Sequence, residues 1–237
     1  SEAIRLLVHG ASGRMGRAVL RLAAADPRVI VVAAISRSGA RIEGIEVPVL
    51  AADALADCPE FDVAIDFSLP AALPLLLALC QQRNAALVSG TTGLDAGLRA
   101  QMDAAAQAIP LLWASNFSLG VVVLEDLLRR AALALPWPLE IIETHHVHKL
   151  DAPSGTAVTL AAAAARGQGK TPPIESIREG EVVGTHVARF SGPGESLELT
   201  HVAVDRDIFA RGALEASVRL HRRLAGNWCL PDLLFGD

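Results

Sequence analysis

A glycine-rich turn between an apolar run and an amphipathic segment is the feature that most restricts how this chain can fold. The apolar run covers residues 4–8, the turn covers residues 9–16, and the amphipathic segment covers residues 17–25. A strand, a glycine turn and a helix in this order open a nucleotide-binding βαβ unit. The sequence therefore predicts that residues 4–25 start a parallel α/β sheet.

The three glycines of the turn are spaced as GxxGxxG, at Gly10, Gly13 and Gly16. We expect Gly10 to permit a tight turn and Gly13 to let the backbone approach a pyrophosphate. Gly16 would let the helix pack closely on the strand, and the helix N-terminus would face the phosphate charge. A dinucleotide site is predicted here, while an ordinary strand–helix turn is the alternative.

The residues after the second apolar run bear on the choice of cofactor. Residues 29–35 are a predicted strand, and Ser36-Arg37-Ser38 follows it. NAD enzymes typically carry an acidic residue here to hold the ribose 2′-hydroxyl, and this chain has none. An arginine with two hydroxyls suits a 2′-phosphate, so Arg37 favours NADPH over NADH. The alternative is that Arg37 is a solvated loop cation.

Three further apolar runs, at residues 61–67, 86–89 and 110–114, alternate with helical patterns at residues 71–83 and 95–108. This alternation predicts a Rossmann-type, doubly wound parallel sheet. In such a sheet, ligands bind beyond the carboxyl ends of the strands. Two segments that follow strands should therefore line the same crevice as the glycine turn: Gly90, Thr91 and Thr92, and Ala114, Ser115, Asn116 and Phe117.

The chain changes character at residues 136–138, Pro-Trp-Pro, which stop a predicted helix at residues 119–135. A strand is predicted at residues 139–143 and an alanine-rich helix at residues 157–165, with a loop after it. Short alternating stretches separated by glycines at residues 177–204 indicate a β-meander. This region is predicted to be α+β, with a mixed or antiparallel sheet that pairs with other subunits.

A helix predicted at residues 212–224 could return to the first domain, and residues 227–237 are predicted to be a short tail. The predicted dinucleotide-binding domain is therefore residues 1–117 with residues 212–237. The predicted domain for substrate binding and oligomerisation is residues 118–211.

Composition excludes several kinds of partner. The net charge of −5 argues against nucleic-acid and membrane-surface binding, both of which favour a basic face. No apolar stretch is long enough for a membrane span. Cys58, Cys80 and Cys229 are widely spaced, which suits a reducing compartment, so a cytoplasmic location is expected. The chain has no tyrosine, which excludes mechanisms that need a catalytic Tyr.

The densest group of ionisable residues lies near the middle of the chain, with three histidines and a lysine at residues 145–149. His145 can exchange a proton near neutral pH, and Lys149 can supply positive charge. If the strand continued through the cluster, both would share one face. Ser154-Gly155-Thr156 at a helix start fits a substrate carboxylate. Asp151 is expected to orient Lys149 or to cap the turn.

Two plainer interpretations of the histidine cluster remain. One is a zinc site, but His145 and His146 are adjacent and neither an HExxH helix nor a cysteine accompanies them, so no metal is expected. The other is a structural cluster of histidine and lysine at the surface.

The run E-x-H-H-x-x-K-x-D-A-P-S-G-T-A, together with G-A-S-G-R-M-G, G-T-T-G and A-S-N-F-S-x-G, resembles the dihydrodipicolinate (4-hydroxy-tetrahydrodipicolinate) reductase family of diaminopimelate–lysine biosynthesis. The resemblance covers nearly the whole chain. It implies a cytoplasmic homotetramer, assembled through the C-terminal sheet, that reduces a cyclic dicarboxylate with NADPH or NADH.

The resemblance also implies roles for individual residues. His145 would be the acid/base, Lys149 would stabilise or protonate the intermediate, and His146, Gly155 and Thr156 would bind substrate. The cofactor would contact Arg37, both segments that follow strands, and the glycine turn at Gly10, Ala11, Ser12, Gly13, Arg14 and Met15. Two departures are Ser36, where many relatives carry an acid, and a shorter segment before Ile177, which bears on the subunit interface.

Three other functions share part of this pattern. Another Rossmann reductase or dehydrogenase of a small amino or imino acid, such as an aspartate dehydrogenase-like enzyme, would need only the N-terminal half. A non-catalytic NAD(P)-sensing module would bind cofactor without turnover. A metal-binding protein would use the histidine cluster alone.

Overall fold

The computed structural model describes residues 2–236, which form two compact units. The first unit contains residues up to Phe117 and residues from Phe209 onward, and the second contains Ser118–Ile208. The second unit is thus inserted into the first along the chain. Among the described residues, no helix is long and apolar enough to cross a membrane.

The first unit is built on a seven-stranded parallel sheet. Its strands in chain order are β1 (Ile4–His9), β2 (Val29–Ser36), β3 (Val49–Ala51), β4 (Val63–Asp66), β5 (Ala86–Ser89), β6 (Pro110–Trp113) and β11 (Gly226–Trp228). Their spatial order is β11-β6-β5-β4-β1-β2-β3. The order runs outward from β1 in both directions, so the predicted doubly wound sheet is confirmed.

The helices of the first unit are α1 (Arg14–Ala23), α2 (Leu73–Arg83), α3 (Ala96–Ala105), α6 (Ile208–Leu220) and α7 (Leu230–Phe235), with 3₁₀ turns at Ala52–Asp57 and Pro70–Ala72. Central strands read as continuous apolar runs because both faces are covered, and Leu6, Leu7 and Val8 of β1 are fully buried. Leu7 packs with Leu76 and Leu87 in one core cluster.

The second unit is a four-stranded mixed sheet covered by two helices. Its elements are α4 (Leu119–Ala134), β7 (Leu139–His145), α5 (Gly155–Gln168), β8 (Ile174–Arg178), β9 (Gly184–Gly192) and β10 (Glu195–Ala203). The strand order is β10-β9-β7-β8, with β7 and β8 parallel and the other pairs antiparallel, so the predicted mixed sheet is confirmed. β7 alternates buried and half-buried residues, and its buried face packs with Leu128 of α4 and Leu160 of α5.

The predicted meander at residues 177–204 is wrong. Only β9 and β10 form an antiparallel hairpin, whereas β8 pairs in parallel with β7. The reason is that α5 acts as a crossover helix, and a crossover returns the chain parallel to the strand it left. The alternating pattern of β8 resembles that of a hairpin strand, so periodicity could not separate the two.

Other differences concern the bounds of elements. α1 begins at Arg14 rather than at residue 17, because Gly13 caps it directly. β7 runs on to His145, and α5 extends from Gly155 to Gln168. The predicted tail contains β11 and α7, and β3 was not predicted either. β3 and β11 are only three residues long, too short for a periodic pattern.

Candidate functional site

The glycine turn of the first unit is shaped by steric limits at two of its three glycines. Gly10 has φ +76°, and a Cβ there would lie 2.3 Å from the Phe67 carbonyl oxygen. A Cβ at Gly16 would lie 2.2 Å from the Gly10 carbonyl oxygen, so α1 and the turn pack at backbone contact. Both findings agree with the roles predicted for these glycines.

The third glycine leaves space for a ligand. A Cβ on Gly13 would meet only the Gly10 carbonyl oxygen, at 3.5 Å, and Ser12, Gly13 and Arg14 are exposed where α1 begins. Ala11 is buried and Met15 is half-buried. An exposed turn without side-chain obstruction at a helix N-terminus fits the pyrophosphate of a dinucleotide.

A buried carboxylate connects three of the loops at the carboxyl edge of this sheet. Asp66, at the end of β4, is fully buried and lies 2.8 Å from His9 Nδ1 at the end of β1. It also accepts hydrogen bonds from the hydroxyls of Ser68 (2.6 Å), Ser89 (2.7 Å) and Thr91 (2.7 Å). Burial opposes ionisation, but these bonds outweigh it and hold the pKa of Asp66 below its usual range.

Thr91 and Phe117 belong to the predicted cofactor segments, but their side chains contact other residues of the protein. Thr91 bonds Asp66 and its carbonyl accepts from Trp113 Nε1 at 2.8 Å. Phe117 is buried against Phe67, with ring centroids 5.5 Å apart, and Gly90 has no room for a Cβ beside Phe67. Gly212 of α6 packs directly on the Phe117 carbonyl.

The remaining residues of these two segments are more accessible. Thr92 and Ser115 are exposed, whereas Ala114 and Asn116 are half-buried. Both segments follow the carboxyl ends of adjacent strands, β5 and β6, as predicted. Thr92, Ser115 and backbone atoms are therefore the groups in these segments that a ligand could reach.

A buried serine ends β2, and an accessible arginine follows it. Ser36 is buried, and its hydroxyl accepts the Gly39 N–H at 3.0 Å, so this side chain closes the turn. Arg37 is exposed, and among residues 2–236 its guanidinium has neither a hydrogen bond nor an ion pair. An accessible, uncommitted guanidinium can bind a phosphate.

In the second unit, one of the three clustered histidines, His145, contacts a buried carboxylate, Glu143 of β7. His145 Nδ1 hydrogen-bonds one oxygen of this carboxylate, and the Ser154 N–H donates to the other at 3.1 Å. Arg178 of β8 donates to both oxygens, from Nη1 and Nη2, at 3.0 Å each. Burial opposes the charge of Glu143, but hydrogen bonds, chiefly from Arg178 and His145, lower the pKa of Glu143 to about 2.

The loop between β7 and α5 carries the other predicted substrate residues. β7 ends at His145, so the condition that one strand face carries both His145 and Lys149 is not met. Lys149 Nζ instead pairs with Asp151 Oδ1 at 2.8 Å, which agrees with the orienting role predicted for Asp151. His146 Nε2 lies 3.1 Å from Arg206 Nη2, an arginine that no sequence motif indicated.

The segment predicted to hold a carboxylate lies at the start of α5. Ser154 caps the helix, accepting the Ala157 N–H at 3.2 Å through its hydroxyl. Gly155 is exposed and Thr156 is half-buried in the first turn. N–H groups in the first turn of a helix lack intrahelical acceptors, so this end of α5 can bind an anion.

Two further histidines on this sheet were not identified from the sequence. His186 of β9 lies opposite Glu143 on one side and His201 of β10 on the other. Within residues 2–236, neither ring nitrogen of buried His186 has a hydrogen-bond partner. Burial and the positive potential of His145 and His201 lower the pKa of His186 to about 4. The alternation of β9 could have placed His186 on the buried face had that strand's register been known.

The arrangement offers no metal site among the residues that the structure describes, where no group of three or more His, Cys, Asp or Glu side chains could hold an ion. What it does offer is an imidazole, a lysine and a helix N-terminus near the ion pair of Glu143 and Arg178. Such a group can bind a carboxylate and move a proton beside it.

Two family models match this chain almost from end to end. Residues 4–117 match dihydrodipicolinate reductase, N-terminus, and residues 120–234 match dihydrodipicolinate reductase, C-terminus. The chain belongs to the dihydrodipicolinate reductase family. The resemblance seen in the sequence is therefore confirmed.

Individual relatives agree with this assignment. The 4-hydroxy-tetrahydrodipicolinate reductase of Stenotrophomonas maltophilia is 55% identical over 234 residues, 98% of each chain. That of Xanthomonas axonopodis pv. citri is 55% identical over 238 residues, 99% of each chain. A dipicolinate-bound dihydrodipicolinate reductase from Paenisporosarcina sp. TG-14 superposes with a TM-score of 0.87 at 25% identity, covering 99% of this chain and 100% of that one.

Proposed function

We propose that this chain is an NAD(P)H-dependent reductase that converts 4-hydroxy-tetrahydrodipicolinate, by way of dihydrodipicolinate, to tetrahydrodipicolinate in diaminopimelate and lysine biosynthesis. The observation that carries the proposal is that the second unit assembles His145, Lys149 and the start of α5 around Glu143, in a chain about 55% identical to named reductases. The dipicolinate bound to the Paenisporosarcina reductase supports a small planar dicarboxylate as the substrate class.

The first unit fits the cofactor. Ser12, Gly13 and Arg14 would hold the pyrophosphate at the N-terminus of α1, and Thr92 and Ser115 lie beyond the ends of neighbouring strands. When bound, NAD(P)H supplies the hydride for the reduction. We propose a preference for NADPH, because Arg37 is accessible and no acidic side chain follows β2 to hold a ribose 2′-hydroxyl.

The second unit would bind and protonate the substrate. The start of α5, at Gly155 and Thr156, would hold one carboxylate, and His146 with its partner Arg206 would contact the substrate as further polar groups. Lys149 would stabilise the negative charge that builds on the ring during reduction. His145 would exchange the one proton that, with one hydride, balances the reduction of the conjugated imine.

The proposal is tested by the absorbance of the reduced nicotinamide, with substrate generated in the cuvette by a dihydrodipicolinate synthase. We expect rapid oxidation that depends on the synthase, and faster with NADPH than with NADH. His145→Gln and Lys149→Ala should lower kcat far more than they weaken cofactor binding. Tight NADPH binding without any oxidation would exclude the reductase and leave a cofactor-sensing protein.

We also propose that the protein works in the cytoplasm as a homotetramer assembled through the sheet of the second unit. The sheet carries exposed apolar side chains, among them Ile177 and Val202, which are 36% and 57% exposed. Paired sheets would bury such residues. Light scattering after size exclusion should give a mass near four chains, and a monomer at micromolar concentration would contradict this assembly.

A further inference from the structure

Four hydrogen-bond donors converge on the carboxylate of Glu143, whose side chain is completely buried. One oxygen, Oε2, faces His145 Nδ1 and Arg178 Nη1. The other, Oε1, faces Arg178 Nη2 and the Ser154 N–H. An ionised carboxylate can only accept hydrogen bonds, so each of these neighbours must present a proton to it.

Arg178 extends this network to the loop between β7 and α5. Its Nε donates to the Lys149 carbonyl at 3.3 Å, and its Nη2 donates to the Asp151 carbonyl. The guanidinium thus holds the backbone on both sides of Leu150. Through one ion pair, the three elements that carry the proposed substrate residues are joined: the end of β7, this loop and the start of α5.

We propose that Glu143 and Arg178 are positioning residues that hold the Nδ1 proton of His145 and leave Nε2 as the nitrogen that exchanges the catalytic proton. This inference deepens the proposed function and rests on it. Glu143 orients the imidazole and stabilises its cationic form, while Arg178 keeps the carboxylate ionised and fixes the loop.

The surroundings of Nε2 agree with this assignment. Gly184 faces Nε2 without a side chain, and a Cβ there would lie 3.0 Å away. On the same side, His186 meets the His145 ring edge to face at 5.2 Å. Burial keeps His186 neutral at neutral pH by lowering its pKa to about 4, so it adds no positive charge beside a protonated His145. The charge of Lys149 is balanced by its pairing with Asp151.

The change Glu143→Gln is informative because an amide has one acceptor and one donor end. If its NH₂ took the Oε1 position, it would face two groups that can only donate, the Ser154 N–H and Arg178 Nη2. Placing it at the Oε2 position opposes only Arg178 Nη1, because His145 can turn Nδ1 into an acceptor by moving its proton to Nε2. The variant should therefore favour the opposite tautomer of His145.

The test measures ¹⁵N chemical shifts of the histidine side chains in the full chain, with His145 assigned by comparison with His145→Gln. We expect wild-type His145 to carry its neutral-state proton on Nδ1 and the Glu143→Gln variant to shift it to Nε2. In the synthase-coupled assay, kcat should fall on the order of 10²-fold with the KM for NADPH within twofold. The pH midpoint of kcat/KM should also move.

Glu143→Gln leaves the half-buried guanidinium of Arg178 without its anion, which can destabilise the unit. The double variant Glu143→Gln/Arg178→Met removes that cation and should show the same tautomer. Of the two single variants at Arg178, Arg178→Met removes the positive charge and Arg178→Lys keeps it. The kcat of Arg178→Lys should therefore be higher than that of Arg178→Met. The control is Glu140→Gln in β7, the strand of Glu143, which breaks an exposed pair with Arg189 of β9 and should leave the His145 shifts unchanged.

The possible outcomes are distinct. An Nε2-protonated wild type, or a folded Glu143→Gln protein with unchanged tautomer, kcat and pH profile, would overturn the positioning role even in an active reductase. If the wild type oxidises no NADPH in the coupled assay, the proposed function fails, whatever the ¹⁵N shifts show.

Discussion

His145 and His186 pack edge to face, with ring centroids 5.2 Å apart and planes inclined by 69°. His145 is hydrogen-bonded to a buried carboxylate, whereas His186 has no hydrogen-bond partner for either nitrogen in the described part of the chain. The same sheet face thus holds one histidine beside a carboxylate and one whose charged form is disfavoured by burial. This contrast makes His186 a source of pH-dependent stability.

Replacing His186 by Gln should flatten the pH dependence of the free energy of unfolding. The pKa of His186 is about 4 in the folded chain against an ordinary value of 6.5. As the pH falls, this imidazole is therefore protonated in the unfolded chain before it is protonated in the folded chain. Its contribution is present above pH 6.5 and is lost as the pH falls towards 4. Wild type should lose about 3 kcal/mol from this group between pH 7 and pH 4.

Urea unfolding at several pH values between 7 and 4 measures the slope of the free energy of unfolding against pH. Glu143, whose pKa is lowered from 4.5 to about 2, contributes only at the acid end and equally in both proteins. Exposed His148 provides the control, because His148→Gln should retain the wild-type slope. Equal slopes for wild type and His186→Gln would show that His186 does not titrate in this window.

Adding a methyl group at Gly184 should disturb His145 without disturbing the fold. The new Cβ would lie 3.0 Å from Nε2 and 3.3 Å from Cδ2 of the imidazole, so the ring must move by a few tenths of an ångström. Such a displacement of a proton-exchanging group should lower kcat about tenfold in Gly184→Ala while NADPH affinity is unchanged. The control is Gly97→Ala in α3, where a Cβ meets only Asp95 at 3.5 Å.

The glycine turn and the start of α5 could be predicted because their geometry depends on neighbours in sequence. The two buried carboxylate networks could not. His9 and Asp66 are 57 residues apart, and Glu143 and Arg178 are 35 apart, and each pair meets only through the register of adjacent strands. Glu143 was visible in the motif, but its partner on β8 requires the parallel pairing that the predicted meander excluded.

Replacing Asp66 by Asn should weaken both the first unit and its cofactor site. An amide has a single acceptor oxygen, so either His9 and Ser68 or Ser89 and Thr91 can no longer donate to this side chain. We expect a loss of about 2–4 kcal/mol in stability and weaker NADPH binding, because the Gly90–Thr92 segment is held by this carboxylate.

Thermal unfolding and quenching of protein fluorescence by NADPH measure the two effects of Asp66→Asn. Exposed Asp57 provides the matched control, and Asp57→Asn should change neither quantity appreciably. Wild-type NADPH affinity in a destabilised Asp66→Asn protein would show that the network supports the fold alone.

Removing the Arg37 side chain should reduce discrimination between the two nicotinamide cofactors. Its guanidinium is exposed and uncommitted in the described part of the chain, so the only expected loss is its contact with a 2′-phosphate. Arg37→Ala should raise the KM for NADPH about tenfold and change that for NADH less than twofold. Exposed Arg222 in the same unit is the control, and equal KM changes for both cofactors would contradict the proposed preference.

The insertion of one unit within the other sets an order for folding during synthesis. Residues 118–208 are contiguous, so that unit has all its strands before residues 209–236 leave the ribosome. In the first unit, β11 can pair with β6 only after residues 226–228 have been synthesised. The packing of Gly212 of α6 on the Phe117 carbonyl also waits for residues that follow the inserted unit. The unit that emerges first is therefore completed after the inserted one, and in a nascent chain residues 118–208 should fold before β11 can join β6.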